Sequence, residues 1–399
     1  MIERSAGLGH PHLARPSFDA VEPDVTIDAV ELRRVRLPLV APFHTARGRQ
    51  DAREAVLVHL LLAGGGDGWG ECVAESEPRY SAEYTDGAET VLRQFLVPAL
   101  LAWQRSHGGV TPDDVATALA PFAGHAMAKA ALEMAVLDAS LRVLGTSFAQ
   151  RLGAVRDAID SGVAVGLHAS IADLLDTVGR HVDEGYRRVK LKIEPDADVE
   201  VVRAVRERFP DTMLQVDANG AYSLRDDHVA ALRALDDFDL ALVEQPLAPD
   251  DLTGHAALAR QIRTPICLDE SITSARTAEL AVDLAACSIV NVKAGRVGGY
   301  LEAVRVHDAC AARGVPVWCG GMLETGLGRA ANIALAALPG FTLPGDISAS
   351  ARYFAEDLTE PFVLDDGRLA VPRGPGLGVS PTRSALRAFT TSVELVRDY

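Results

Sequence analysis

The sequence predicts an α/β protein built as a modified TIM-type (β/α)7β barrel, with an N-terminal α+β capping domain that the C-terminal segment completes. Three observations lead there. From about residue 162 onward, short apolar runs alternate with amphipathic stretches. The first 150 residues follow another pattern, strands and a Gly-rich turn followed by helices. A chain of 399 residues also suits a barrel of about 250 residues plus a second domain.

Taken in order, residues 1–26 carry Pro11, Pro16 and Pro23 with scattered charge and read as a flexible extension. They lack the apolar run of a signal peptide, and no stretch of the chain reaches the length of a membrane span. The capping domain is placed at 27–155. Alternation of Ile27, Val30, Leu32, Val35 and Leu37 gives one strand, EAVLVHLLL at 54–62 gives another, and AGGGDGWGE turns a hairpin. Between the two strands VAPFHTARGRQ is expected to be a loop. Helical spacing covers about 86–103 and then HAMAKAALEMAVLDASLRVLG, where Ala128, Ala131, Leu132, Ala135 and Val136 share a face and Gly145 supplies the stop.

The barrel is placed at 156–345. Its strands are GVAVGL, RRVKLKI, MLQVDA, LALVEQP, PICLDE, SIVNVKA and VPVWCGG, and stretches between them such as VEVVRAVRERF and LEAVRVHDACAARG have helical periodicity. Alternation of this kind implies parallel βαβ units, and so many in succession imply closure. A doubly wound open sheet would show a Gly-rich nucleotide turn after its first strand, whereas GVAVGLHAS has no GxGxxG. Residues 346–399, with the strand-like PFVLDDGRLAV, are expected to return to the capping domain.

A net charge of −16 disfavours nucleic-acid and anionic-membrane partners, which need clustered Lys and Arg. The five cysteines are odd in number and form no CxxC pair, so reduced thiols in the cytoplasm are expected rather than disulfides or zinc. A small-molecule carboxylate is the expected partner, and the chain is expected to form a homo-oligomer.

Polar residues stand where successive barrel strands end: Lys190 and Lys192, Asp217 and Asn219, Glu244, Asp269, and Lys293. They recur about once per βα unit, and catalytic groups of such barrels gather at the C-terminal ends of the strands. Residues two apart share a face, so Lys190 with Lys192, Gln215 with Asp217, and Cys267 with Asp269 point inward. Glu270 falls on the other face and is expected behind the cluster. Three converging carboxylates, with no Arg in the motif expected to compensate them, call for a cation. All-oxygen ligation suits a hard ion, Mg²⁺ before Mn²⁺ or Ca²⁺. Lysine becomes a usable base only when neighbouring positive charge disfavours its ammonium form, and Lys190 is expected to do this for Lys192. Lys293, from a strand across the barrel, would reach the opposite face of a substrate.

KxK (Lys190, Lys192), DxN (Asp217, Asn219), EQP from Glu244, LDES around Asp269 and NVKAGRVGG around Lys293 resemble the muconate-lactonizing-enzyme subgroup of the enolase superfamily, which pairs a lysine base with Mg²⁺. GWGEC at 68–72, AKAALEMAVLDA at 128–139 and VWCGGMLETGLGRAANIALAALPGFTLPGD from 317 resemble its o-succinylbenzoate synthase and N-acylamino acid racemase family. The likeness runs from about residue 27 to the end. It implies Asp217, Glu244 and Asp269 as ligands of Mg²⁺, with Mn²⁺ a possible substitute. It also implies Lys192 and Lys293 as the acid/base pair, Asn219 and Lys190 as polar groups beside them, and an Arg296 shared with racemase members and acting on Lys293. Dehydration to o-succinylbenzoate, racemisation of N-acylated or N-succinylated amino acids, or both are the implied activities. Dipeptide epimerisation, muconate-type cycloisomerisation and a non-catalytic role are the alternatives.

The substrate pocket is expected to combine Phe43 and the loop around it, the loop from Glu75 to Tyr84, and Gly321, Met322 and Leu323. Ala164 stands where relatives carry a Ser, and His168 where they are usually apolar. His168 reads first as a hydrogen-bonded structural residue at a strand end. GDIS at 345–348 lacks the second Asp of dipeptide epimerases, and Trp318 reads as core.

Overall fold

The computed structural model describes residues 14–397 apart from 46 and 47, with backbone only at 43–45. Strands β1 (Ile27–Thr45), β2 (Gly48–Leu62) and β3 (Asp67–Cys72) form an antiparallel sheet. Both of its faces are buried. Val30, Leu32, Val56, Val58 and Leu60 pack against the capping helices, while Val35, Leu37, Ala55 and Leu57 join the barrel core. Two covered faces explain why EAVLVHLLL is nearly unbroken in its apolar character.

The described residues of the segment VAPFHTARGRQ are strand rather than loop. The pairing of β1 with β2 continues through Pro38 with Ala52, Phe43 with Gln50, and Thr45 with Gly48, interrupted by one irregularity between Pro38 and Phe43. Backbone hydrogen bonds carry a hairpin beyond the point where side chains alternate, so periodicity could not register it. Residues 14–26 are not free either: Glu22 pairs with Arg151 at 2.7 Å and Val25 bridges to Val110. Behind the sheet, the helix Ala126–Leu144 ends on Gly145 in the left-handed conformation, which glycine adopts without steric cost.

A short pair, β4 (Ala158–Asp160) with β12 (Arg368–Ala370), precedes the barrel. The barrel strands are β5 (Gly162–Val165), β6 (Arg188–Lys192), β7 (Met213–Asp217), β8 (Val243–Glu244), β9 (Ile266–Leu268), β10 (Ile289–Val292) and β11 (Val317–Cys319), neighbours in chain order and all parallel. The extended stretch 341–347 closes the ring. It bridges Phe341 to Val317 on one side and Gly345 to Ser161 on the other, with Asp346 N donating to Cys319 O at 2.9 Å and Gly162 N to Gly345 O at 2.8 Å.

Outward residues of the strands, such as Val189, Leu191, Leu214 and Val216, join the large core under the helices. Leu242, Cys267, Ile289 and Trp318 form a separate apolar plug inside the barrel, a floor beneath the polar strand ends. PFVLDDGRLAV supplies β12, which pairs with β4 just ahead of the first barrel strand. The strand that joins the capping sheet is β13 (Thr390–Arg397), antiparallel to β1. Among the described residues, no helix is long and apolar enough to cross a membrane.

Candidate active site

Register brings the polar strand ends to one level: Lys192 lies beside Asp217, and Asp217 beside Glu244. Lys190, one pleat below, is 3% exposed and reaches three carboxylates, Glu244 at 2.8 Å, Asp217 at 3.3 Å, and Asp346. Lys192 Nζ donates to Asp217 Oδ2 at 2.5 Å and to Asn219 Oδ1 at 2.7 Å. Lys293 Nζ donates to Asp269 Oδ2 at 2.8 Å. Glu270 touches the cluster through Asn219, whose Nδ2 donates to it at 3.1 Å.

Arg296 corrects the sequence reading. Its guanidinium pairs directly with Asp269 Oδ1, and it is fixed by Nε to Ile272 O at 2.7 Å and Nη2 to Asn291 O at 2.6 Å. An Arg therefore does compensate the carboxylates, and it shares Asp269 with Lys293. Spacing could not show this, because a one-turn helix, Ala294–Val297, swings the side chain back over β9.

The charges are tightly matched. Burial would raise Asp217, but the Lys192 and Lys190 ammoniums outweigh it and hold the acid down to about 2. For Glu244, burial and the negative charge of Asp217 prevail over Lys190 and push it up to about 8. Burial opposes the charge on Lys190, yet Asp346, Glu244 and Asp217 raise it well above the ordinary lysine value. Lys190 thus places one positive charge among three carboxylates, below the level of Lys192. Lys293 is likewise raised, because Asp269 outweighs its burial.

Above these groups lies a cavity of about 90 Å³, lined by Lys192, Asn219 and Lys293, by Ala164, and by Gly321, Met322 and Leu323. Gln50 and Glu75 from the capping domain complete its rim. Phe43's side chain lies outside the described residues. Glu244 and Asp269 sit beneath the cavity, 0% and 1% exposed. His168 is exposed and lines a separate groove of about 990 Å³ on the outer side of β5, away from the lysines.

The residues missed in the sequence are Tyr80, Asp346, Arg188 and Asn291. Tyr80's hydroxyl lies 3.3 Å from Asp269, 3.1 Å from Arg296 and 3.4 Å from Lys293, and its burial pushes it up to about 12. Arg188 pairs with Asp346 at 2.6 Å, and both Arg188 and Lys190 stand over the Trp318 ring. Asn291 Nδ2 donates to Glu244 at 2.7 Å. Strand alternation could have found two of these, since Arg188 is two residues before Lys190 and Asn291 two before Lys293.

The chain is similar to known proteins along nearly its whole length. Residues 28–153 match the mandelate racemase / muconate lactonizing enzyme N-terminal domain, and residues 173–385 the enolase C-terminal domain-like family. An N-succinylamino acid racemase of Amycolatopsis sp. is 60% identical over 92% of this chain and 98% of its own length. An o-succinylbenzoate synthase of Geobacillus kaustophilus is 46% identical over 93% and 98%. A crystal structure of an enolase-superfamily member from Listeria innocua has a TM-score of 0.88 at 40% identity, covering 94% of this chain and 99% of that one. Enzymes of this family generally use Mg²⁺. Domain matches, relatives and barrel geometry coincide over nearly the whole sequence, and the chain belongs to the mandelate racemase/muconate lactonizing enzyme family of the enolase superfamily.

Proposed function

We propose that this enzyme racemises N-succinylamino acids and related N-acylamino acids by removing the α-proton on one face and returning a proton on the other. The observation that carries the reading is the placement of Lys192 and Lys293. They come from β6 and from the end of β10, with three strands between, yet line one small cavity. Each is also bonded to a different carboxylate of the cluster. A lysine on each face satisfies a two-base exchange, in which the amine takes the α-proton and the opposite ammonium gives one back. The most similar relative named above supplies the substrate class.

Asp217, Glu244 and Asp269 would hold Mg²⁺. The donor set fits a hard cation, since all three offer oxygen and a single positive nitrogen already lies within 3.3 Å of both Asp217 and Glu244. Among the described residues no three acidic, His or Cys side chains form a ready cage, because Asp269 turns to Lys293 and Arg296. When bound, the metal supplies positive charge that stabilises the doubly negative enediolate. Around it, Lys190 stays protonated and adds a fixed positive charge, Asn219 orients Lys192, and Arg296 with Tyr80 sets the position of Asp269. The apolar residues Met322 and Leu323 shield the site from water. The buried free thiols support action in the cytoplasm.

Dehydration to o-succinylbenzoate is the second reading, favoured by the 46%-identical synthase. There Lys192 removes the proton and, as its ammonium, returns it to the departing hydroxide on the same face, releasing water. The test is α-proton exchange in deuterated solvent, followed by NMR for each enantiomer of N-succinylphenylalanine. Lys192→Ala and Lys293→Ala should each abolish racemisation while retaining exchange of opposite enantiomers. A variant that racemises at the parent rate refutes the two-base reading.

A further inference from the structure

We propose that Glu133, a buried carboxylate on the capping domain's helix Ala126–Leu144, is a positioning residue for Lys293, fixing the barrel segment that carries Lys293 and Arg296. The proposal rests on the two-lysine reading above. Lys293 is followed at once by the one-turn helix Ala294–Val297, by Gly298 and Gly299, and by the helix Tyr300–Ala311. That second helix has glycine at its N-cap and no side-chain cap of its own. Its acceptor comes from the other domain: Glu133, 3% exposed, takes the Leu301 N–H at 3.0 Å and also that of Tyr300.

The surrounding sequence is shaped to admit this carboxylate. A Cβ on Gly299 would lie 2.3 Å from Glu133 Oε1, and Gly299 has φ +150°. A Cβ on Gly295 would lie 2.3 Å from Val73 of the capping domain, so the one-turn helix also abuts the cap directly. The same capping helix holds the Tyr80 loop. Glu83 accepts from Met127 N at 3.0 Å and Ala128 N at 3.2 Å, and Tyr80, three residues earlier, reaches Lys293 and Arg296. One cap helix therefore grips the Lys293 segment from two sides. Lys192 has no such link among its bonds: Asp217 and Asn219 are both barrel residues. Lys293 is bonded to the barrel's Asp269 and also to Tyr80 of the capping domain, so loss of Glu133 should be felt on one face of the substrate only.

The experiment measures deuterium exchange of N-succinyl-L- and N-succinyl-D-phenylalanine by full-length Glu133→Ala, Glu133→Asp and Glu133→Gln with Mg²⁺ present. Lys293→Ala identifies the enantiomer served by Lys293. For that enantiomer Glu133→Ala should slow exchange by about ten- to a hundredfold, the range a displacement near 1 Å produces, with the other changed less than about twofold. Gln, which keeps an acceptor oxygen, should recover most of the rate, whereas Asp, one methylene short, should not. Should Glu133→Ala fail to fold, the Asp and Gln variants carry the same comparison. Asp138→Asn, a buried cap carboxylate bonded to Trp69 N and Leu377 N, reports the effect of lost stability alone and should not separate the enantiomers. Equal slowing of both enantiomers by the Glu133 variants, or none, overturns the proposal while leaving the two-base reading intact. If Lys192→Ala and Lys293→Ala themselves fail to separate the enantiomers, the two-base reading falls and the proposal with it.

Discussion

Lys190→Met tests the charge balance beneath the cavity. Methionine keeps the length and apolar body of the side chain and can still lie against the Trp318 ring, which the Lys190 ammonium approaches to 4.9 Å from the centroid. What it removes is the positive charge shared by Glu244, Asp217 and Asp346. Asp346 keeps Arg188 at 2.6 Å and Asp217 keeps Lys192 at 2.5 Å, but Glu244 is left with only the neutral amide of Asn291. Breaking one partner of a buried ion pair costs about 3–5 kcal/mol. Glu244, already pushed up to about 8, can relieve part of this by holding a proton, so the loss should be smaller at pH 6 than at pH 9. Urea unfolding in chelator at the two pH values measures it. Added Mg²⁺ should then restore stability, by about 2.7 kcal/mol at a hundredfold excess over Kd, and should bind the variant more tightly than the parent because no ammonium competes. A variant as stable as the parent in chelator at pH 9, or one indifferent to Mg²⁺, would refute both the charge balance and the placement of the metal.

Other outcomes follow from the same geometry. Asp217→Asn should weaken Mg²⁺ binding, read by calorimetry, far more than Glu270→Gln, whose carboxylate accepts from Asn219 behind the cluster; equal effects would misplace the ligand set. Gly320→Ala should lower kcat at least tenfold, since its Cβ would fall 2.6 Å from Lys293 Cε and 2.3 Å from Asn291 Oδ1, and a variant with parental kcat would show that Lys293 tolerates displacement. Stability should also carry a pH signature from Glu133, raised by burial from 4.5 to about 7. The folded state then binds the extra proton, so this contribution is present below pH 4.5 and is lost as pH rises through 7, by (7 − 4.5) × 1.36, about 3 kcal/mol. In Glu133→Gln that part of the slope between pH 5 and pH 8 should vanish from urea midpoints, and an unchanged slope would place the effect elsewhere.

The barrel and the residues at its strand ends were legible in the sequence because strand geometry is local. A period of two sends Lys190, Lys192, Gln215 and Asp217 inward whatever the rest of the chain does, and the recurrence of a polar residue about once per βα unit marks each strand's end. The same rule put Glu270 behind the cluster, where it meets Asn219. Tertiary structure alone decided the rest. The extension of β1 and β2 past Pro38 depends on backbone pairing, which leaves no side-chain period to read. Arg296 reaches Asp269 only because a one-turn helix redirects it, and Asp346 joins Lys190 only because the stretch 341–347 closes the ring. The caps that Glu71, Glu83 and Glu133 provide for helices far along the chain have no periodic trace either. A hydrogen bond between residues 168 positions apart, such as that of Glu133 with Leu301, is fixed by how two domains pack, and packing is a property of the assembled surfaces rather than of any window of sequence.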